Sequence, residues 1–292
     1  DTTGTLTITD DDTISFTASN IATNTDGAHD VHIADLDGDG DLDIISASIG
    51  DDQISWYKND GSADPGWKKK KISELDDSSR PRAVHVGDLD GDGDLDIVSA
   101  SSGDDTIAWY ENDGSSANWT ARDINTNADR ARDVYVADLD GDGDLDIVSA
   151  SQEDDTIAWY ENNGDASGWN ATNIDTNADG AHGVHIADLD GDGDLDIISA
   201  SQADDAIAWY ENNGAADPSW SAADIATSAD GAQDIYVGDL DGDGDLDIVS
   251  ASTTDNTIAW YENDGAADPS WTAADIATSA DGARDVHLAD MD

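Results

Sequence analysis

Asp35-Leu36-Asp37-Gly38-Asp39-Gly40-Asp41-Leu42-Asp43 is repeated unchanged from Asp88, Asp138, Asp188 and Asp239, and a sixth copy stops after Asp290, Met291 and Asp292. Successive copies start 50 to 53 residues apart, a fixed period of the kind that marks propellers, solenoids or arrays of one supersecondary unit. Carboxylates at alternate positions of a tight loop converge on one point, and a hard divalent cation can hold that much like charge together. In the first copy Asp35, Asp37 and Asp39 take loop positions 1, 3 and 5. Gly40 sits at the sharp turn of position 6, Asp41 offers its backbone carbonyl at 7, and Asp43 closes the loop at 9. The same roles fall to Asp88, Asp90, Asp92, Asp94 and Asp96, and to Asp138, Asp140, Asp142, Asp144 and Asp146. They fall again to Asp188, Asp190, Asp192, Asp194 and Asp196, and to Asp239, Asp241, Asp243, Asp245 and Asp247. Magnesium demands near-ideal octahedral geometry and keeps its waters, so the expected ion is Ca2+, one for each of the five complete repeats.

In the helical version of such a loop position 12 carries a bidentate Glu, but here Ser46, Ser99, Ser149, Ser199 and Ser250 stand there. The flanks are not helical either. An apolar run such as VHIAD precedes each loop and DIISAS or DIVSAS follows it, both rich in β-branched residues and without a helical stripe. The metal loop is therefore expected to join two strands. Asp-Gly pairs are also ordinary turn chemistry in solvated linkers, but five identical copies bounded by strand-like sequence argue against a linker. After DIVSAS come a turn, the segment TIAWYEN, an Asn/Asp-Gly turn and a short segment opened by a second Trp. Four strands in about 50 residues make one propeller blade, so the expected class is all-β and the architecture a β-propeller.

All ten tryptophans fall in register. Trp56, Trp109, Trp159, Trp209 and Trp260 each precede a tyrosine, while Trp67, Trp119, Trp169, Trp220 and Trp271 open the fourth segment. Aromatic faces could stack on sugars, but strict recurrence favours packing between adjacent sheets for the first series. The second series, nearer the outer strand, leaves both readings open. His32, His85, Tyr135, His185, Tyr236 and His287 share one register on the strand entering each loop. Tyrosine at two of these places breaks any second metal set, and half-buried strand residues are the simpler expectation.

The 34 residues before Asp35 and the three from Asp290 make no blade separately. TLTIT, DDTISF and TASNIAT resemble the second, third and fourth strand segments, with Phe16 in the place of Trp, and DVHLAD near the C-terminus is a first strand. Joining them would close the ring and remove its open sheet edges. The chain is thus expected to be a single propeller over 1–292. Residues 1–34 would supply closing strands, 35–289 five repeats, and 290–292 a truncated sixth, giving six four-stranded blades with the last built from both termini.

Sixty-eight acidic against eleven basic residues give a net charge of −57, and twenty-five of the carboxylates lie in the complete loops. Without cations these loops repel one another, so metal binding and folding should be coupled. The same charge disfavours nucleic acid and anionic membrane surfaces as partners. No stretch approaches the roughly 20 apolar residues of a membrane helix, and DTTGTLTITDDD is not a signal peptide, so the chain reads as a mature or excised piece. With no cysteine the redox compartment is not legible. Extracellular calcium modules bind at about 10⁻⁴ to 10⁻³ M, levels scarce in cytosol, which points to an extracellular or cell-surface setting.

DLDGDGDLDI preceded by DVHIA resembles the FG-GAP or VCBS repeat family, found in integrin α-subunit propellers, fungal propeller lectins and large bacterial surface proteins. The resemblance covers nearly the whole chain and implies a β-propeller whose calcium loops join the first two strands of each blade. It places the ligands on Asp35, Asp37, Asp39, Asp41 and Asp43 and their counterparts. The Phe-Gly and Gly-Ala-Pro signatures are missing, so an integrin-like ligand site is not carried over. GTLTITDDD is similar to the closing strand of Calx-β domains, which hints at further domains upstream in a parent protein.

No Ser/His/Asp or Cys/His arrangement stands out from the repeat, and the carboxylates are already assigned to metal, so no catalysis is expected. Charge is what breaks the symmetry. Lys58, Lys68, Lys69, Lys70, Lys71, Arg80, Arg82, Arg122, Arg130 and Arg132 are ten of the eleven basic residues. Lys68, Lys69, Lys70 and Lys71 fall on an expected edge strand, where lysine guards against sheet-to-sheet aggregation. The sharper reading is that they dock on the acidic face of another copy or another domain and extend into a filament. Asn118 and Asn170 lie in glycosylation sequons. The function expected is a calcium-stabilised adhesive or structural module joining other proteins or copies of itself. A calcium-dependent glycan-binding lectin is the alternative.

Overall fold

In the computed structural model, which describes residues 18–74, 78–114, 119–164, 166 and 168–289, the runs on either side of each Asp loop pair antiparallel. β1 (Ala28–Ala34) meets β2 (Asp43–Ser48) with His32 opposite Ile45 and Ile33 opposite Ile44. β3 (Gln53–Asn59) and β4 (Trp67–Glu74) complete a sheet in the order β1-β2-β3-β4. The second repeat gives β5 (Pro81–Gly87), β6 (Asp96–Ser101), β7 (Thr106–Asn112) and β8 (Trp119–Asn125). The third gives β9 (Ala131–Ala137), β10 (Asp146–Ser151), β11 (Thr156–Asn162) and β12 (Trp169–Asp175). The fourth gives β13 (Ala181–Ala187), β14 (Asp196–Ser201), β15 (Ala206–Asn212) and β16 (Trp220–Ala226). β17 (Ala232–Gly238), β18 (Asp247–Ser252), β19 (Thr257–Asn263) and β20 (Trp271–Ala277) form the fifth. The result is five four-stranded antiparallel sheets, with no helix among the described residues.

The sheets stand side by side with their first strands innermost, β1 against β5, β5 against β9, β9 against β13 and β13 against β17. The second strands are therefore covered on both faces. β6, β10, β14 and β18 are buried at every residue, which is why DIVSAS shows no alternation of apolar and polar positions. Adjacent Trp and Tyr point to opposite faces of their strand. Trp109 packs with Ala158 and Tyr160 of the next sheet, while Tyr110 packs back against Trp56. Trp159 with Tyr210, and Trp209 with Tyr261, repeat the pattern. Each such aromatic buries about 150–250 Å2, an upper estimate of about 4 to 6 kcal/mol, so the sheet-to-sheet seams carry much of the stability.

Around the axis the six in-register aromatics follow one another with ring centroids 4.3 to 4.9 Å apart, from His32 through His85, Tyr135, His185 and Tyr236 to His287. Burial lowers His85 to about 3 and His185 to about 4, so both are neutral packing groups. His287 belongs to residues 283–289, a segment beside β17 that pairs with no strand among the described residues. The Val286 N–H donates to Asp234 Oδ2 at 2.9 Å. The expected closing strands TLTIT and DDTISF, with Phe16 and the Calx-β-like stretch, lie outside the described residues, as do Asp290, Met291 and Asp292. Of TASNIAT, residues 18–23 are irregular. Among the described residues five blades are formed, and residues 285–289 of DVHLAD continue the inner row beyond them.

Candidate metal centres

Each Asp loop leaves the end of an innermost strand, so all five lie on one face of the molecule. Two glycines set the local path: Gly38 and Gly40 have φ of +68° and +93°, which L side chains rarely adopt. The first carboxylate organises the turn. Asp35 Oδ1 accepts from the Asp39 N–H at 3.0 Å and Oδ2 from the Gly40 N–H at 2.9 Å. Asp88, Asp138 and Asp188 accept from Gly93, Gly143 and Gly193 at 3.0 Å, and Asp239 from Gly244 at 3.1 Å. At position 5, Asp92 Oδ1 accepts from Asp94 N at 2.9 Å, one of a chain of short Asx turns.

The consequence is convergence. Asp35, Asp37 and Asp39 each present an oxygen within 4.8 Å of the other two, as do Asp88, Asp90 and Asp92, then Asp138, Asp140 and Asp142, and Asp188, Asp190 and Asp192. In the fifth loop the trio is Asp239, Asp241 and Asp247, drawn from positions 1, 3 and 9. Oxygen-only donors of this charge suit a hard divalent cation. A second observation points the same way. Asp88 Oδ1, Asp138 Oδ1 and Asp188 Oδ1 are buried with no hydrogen-bond donor, although the other oxygen of each is satisfied. A buried carboxylate oxygen without a partner is costly, and a cation at the convergence point would satisfy it.

The other two positions behave differently. Asp41 turns its side chain toward Gly61, where an added Cβ would lie 2.3 Å from Asp41 Oδ2, and Asp94, Asp144, Asp194 and Asp245 approach Gly114, Gly164, Gly214 and Gly265 likewise. Position 7 is thus left with its main-chain carbonyl to offer. At position 9, Asp43, Asp96, Asp146, Asp196 and Asp247 are buried. Asp96 accepts from the Asn112 N–H at 2.8 Å and the Leu89 N–H at 3.2 Å. Burial nevertheless pushes Asp96, Asp146 and Asp196 up to about 7, against the lowering effect of those hydrogen bonds. A neighbouring cation would hold them ionised.

Two contributors were not read from the sequence. Asn112, Asn162, Asn212 and Asn263, at the ends of third strands, are buried and bridge two loops. Asn162 Nδ2 donates to Leu145 O of its own repeat at 3.0 Å and to Leu89 O of the preceding one at 2.7 Å. Their only sequence signal was recurrence in TIAWYEN. The second contributor is Lys58, which replaces the glutamates Glu111, Glu161, Glu211 and Glu262 of the sister repeats. Its ammonium contacts Asp37 and lies 2.9 Å from Asp39 Oδ2, and these partners raise its pKa. The first loop thus has a built-in cation.

The remaining expectations are placed as follows. Trp56, Trp109, Trp159 and Trp209 are buried in the seams. Trp119, Trp169, Trp220 and Trp271 are half-buried and pack on the same seams, Trp220 meeting Trp159 edge-on at 6.2 Å. Lys68, Lys69, Lys70 and Lys71 do lie on the outermost strand of a sheet, β4. Lys70 Nζ sits 5.1 Å from the Trp56 ring centre and Lys69 Nζ 5.7 Å from that of Tyr57. Asn170 is exposed on β12, while Asn118 lies outside the described residues.

A sequence-family profile described as an FG-GAP-like repeat matches residues 35–99, 88–149, 139–199, 188–250 and 239–292. No curated relative matches the chain. Among solved structures, an Agrocybe aegerita lectin that recognises non-reducing terminal N-acetylglucosamine superposes with a TM-score of 0.58 and 21% identity, over 87% of this chain and 67% of that one. The V. cholerae biofilm matrix protein Bap1 gives 0.51 and 21% over 85% of this chain and 38% of its own. A Bacteroides fragilis protein assigned provisionally as a 6-phosphogluconolactonase gives 0.58 and 15%, over 85% of this chain and 70% of that one. At these identities the likeness is one of fold.

Proposed function

The chain belongs to the FG-GAP-like repeat family, and on that footing we propose that it is a calcium-stiffened propeller module that joins proteins, or copies of itself, outside the cell. The observation that carries this reading is the repeated meeting of three aspartates in each of five loops, with an orphaned buried oxygen at position 1 in three of them. The ligands of each ion are the carboxylates at positions 1, 3 and 5, the main-chain carbonyl at 7 and the carboxylate at 9. Bound calcium offsets part of the negative charge of the loop face, and the bridging asparagines couple each loop to its neighbour. The stiffened ring then serves as a spacer or docking platform. Calcium levels outside cells fit the affinities usual for such modules, which supports an extracellular setting. No catalytic role is proposed.

We also propose that the ring has six blades, the last built from residues 283–289 and the N-terminal strands. His287 follows Tyr236 in the axial ring, and a single cavity is lined by Asp30 from the first repeat and Asp285 from the last segment. Deleting residues 1–17 tests this closure: the melting temperature should fall sharply, and an unchanged midpoint refutes it.

Self-association is tested by sedimentation velocity in calcium, with and without chelator. Assembly should require calcium, dissolve in high salt, and disappear in Lys68→Glu with Lys71→Glu. An oligomer indifferent to all three rejects docking through β4. Carbohydrate binding is the second reading, favoured by the fold shared with the N-acetylglucosamine lectin. A glycan array in calcium separates the two. The burial of Trp56, Trp109, Trp159 and Trp209 removes those four as stacking platforms, while Trp260 is half-buried.

A further inference from the structure

At the ends of the inner strands away from the Asp loops lies an open axial cavity of about 650 Å3, within the range of small-molecule sites. Its wall holds Arg82, Arg130, Arg132 and Arg284 together with His29 and His182. Four of the eleven basic residues of a chain with net charge −57 thus meet at one point. Arg82 Nε donates to Ser102 Oγ at 2.8 Å and its Nη1 lies 2.9 Å from His29 Nε2. Arg132 Nε donates to Gln152 Oε1 at 2.8 Å. These partners are neutral, and among the described residues neither Arg82, Arg132 nor Arg284 forms an ion pair.

Four aspartates, Asp30, Asp133, Asp234 and Asp285, share the wall, and among the described residues none forms an ion pair with these arginines. Asp30, Asp133 and Asp234 each accept the N–H of a valine in the next inner segment, Val84 at 2.8 Å, Val184 at 2.9 Å and Val286 at 2.9 Å. They staple the ring together. Burial first, and then the neighbouring arginines, pull Arg82 down to about 10 and Arg132 to about 9. The positive charge is therefore held at a cost.

Two further features show that this wall is specialised. Gly27, Gly180, Gly231 and Gly282 occupy one turn position with φ between +61° and +73°, yet Arg130, which lines the cavity, holds the same position at +59°. A left-handed arginine costs about 1 kcal/mol or more relative to glycine, and such strain clusters at functional sites. Gln233, only 5% exposed, lines the cavity with a buried Nε2 that has no hydrogen-bond acceptor.

We propose that the axial cavity is a binding site for a small oxyanion, a carboxylate or sulfate group, taken by Arg82, Arg132 and Arg284, with the Gln233 amide as an additional donor. Arginine forks match planar and tetrahedral oxyanions bidentately, and the half-buried setting of Arg82 and Arg132 strengthens their charge-assisted bonds. The site lies across the ring from the metal loops and does not depend on the reading of the module as adhesive.

Isothermal titration calorimetry of the full chain in calcium chloride tests it, with sodium glucuronate, sodium sulfate and uncharged glucose as probes at an ionic strength fixed by sodium chloride. One anion should bind per chain, and glucose should not. Tighter binding of glucuronate assigns the natural ligand to an acidic sugar, and tighter or equal binding of sulfate to a sulfate group. Arg82→Gln with Arg132→Gln should weaken binding by about tenfold or more per arginine, with the circular dichroism spectrum unchanged. Should that variant lose its fold, Arg284→Gln, at an exposed side chain, carries the same test. Failure of both anions to bind, equal binding of glucose, or affinity unchanged by the arginine substitutions overturns the proposal.

Discussion

Removing calcium should bring the folded chain close to unfolding. Five clusters are available to bind the ion in the native state, and an unfolded chain would scatter their carboxylates. At a dissociation constant of about 10⁻⁴ to 10⁻³ M, 10 mM calcium stands about 10- to 100-fold above it, and each site adds about 1.4 to 2.7 kcal/mol. Five independent sites then contribute about 7 to 14 kcal/mol, as much as the whole stability of an ordinary domain. With an unfolding entropy of about 2.1 cal/mol/K per residue, a chain of 292 residues should melt about 10 to 20 °C lower in EDTA than in 10 mM calcium. Differential scanning calorimetry measures the shift, and a sodium chloride control of equal ionic strength separates ion binding from screening of the net charge of −57. Equal midpoints in calcium and EDTA, or an equal gain from sodium chloride, would refute site-specific stabilisation.

The five sites should not be equivalent, because Lys58 already engages Asp37 and Asp39. Lys58→Glu, which restores the residue of the sister repeats, should tighten the weakest calcium step in a calorimetric titration; an unaltered isotherm would show that the lysine does not compete. Asn162→Ala strips donors from Leu89 O and Leu145 O in a buried position and should cost about 2 to 4 kcal/mol in urea unfolding. A loss below about 0.5 kcal/mol, the scale of an ordinary surface change, would mean that the loops are not coupled through it. Burial raises Asp133 to about 7, above its unfolded value, so its contribution favours the fold below about pH 4 and is lost as pH rises toward 7. The melting temperature of the native chain minus that of Asp133→Asn should therefore fall across that window, with the loops cancelling in the difference. A difference constant with pH would rule out this ionisation as a source of strain.

Much of the architecture was legible because local chemistry repeats. β-Branched runs without a helical stripe, Asp-Gly turns and a 50-residue spacing together point to a sheet of four strands before any long-range contact is considered, and positions 1, 3 and 5 of the loop converge through hydrogen bonds within a few residues. The register of Trp and Tyr likewise announced the seams between sheets.

What the linear chain could not supply is whatever depends on neighbours distant along it. Asn162 is an ordinary strand end until Leu89, 73 residues earlier, is brought beside it. Lys58 is one more basic residue until the hairpin folds it over the first loop, and Arg284 stands apart from Arg82 and Arg132 until the ring gathers them at the axis. Sequence alone determined the unit and its Asp loop, because their forces act over short separations along the backbone. Tertiary structure decided which units face one another, because only the stacking of sheets around an axis turns residues from separate repeats into a single wall.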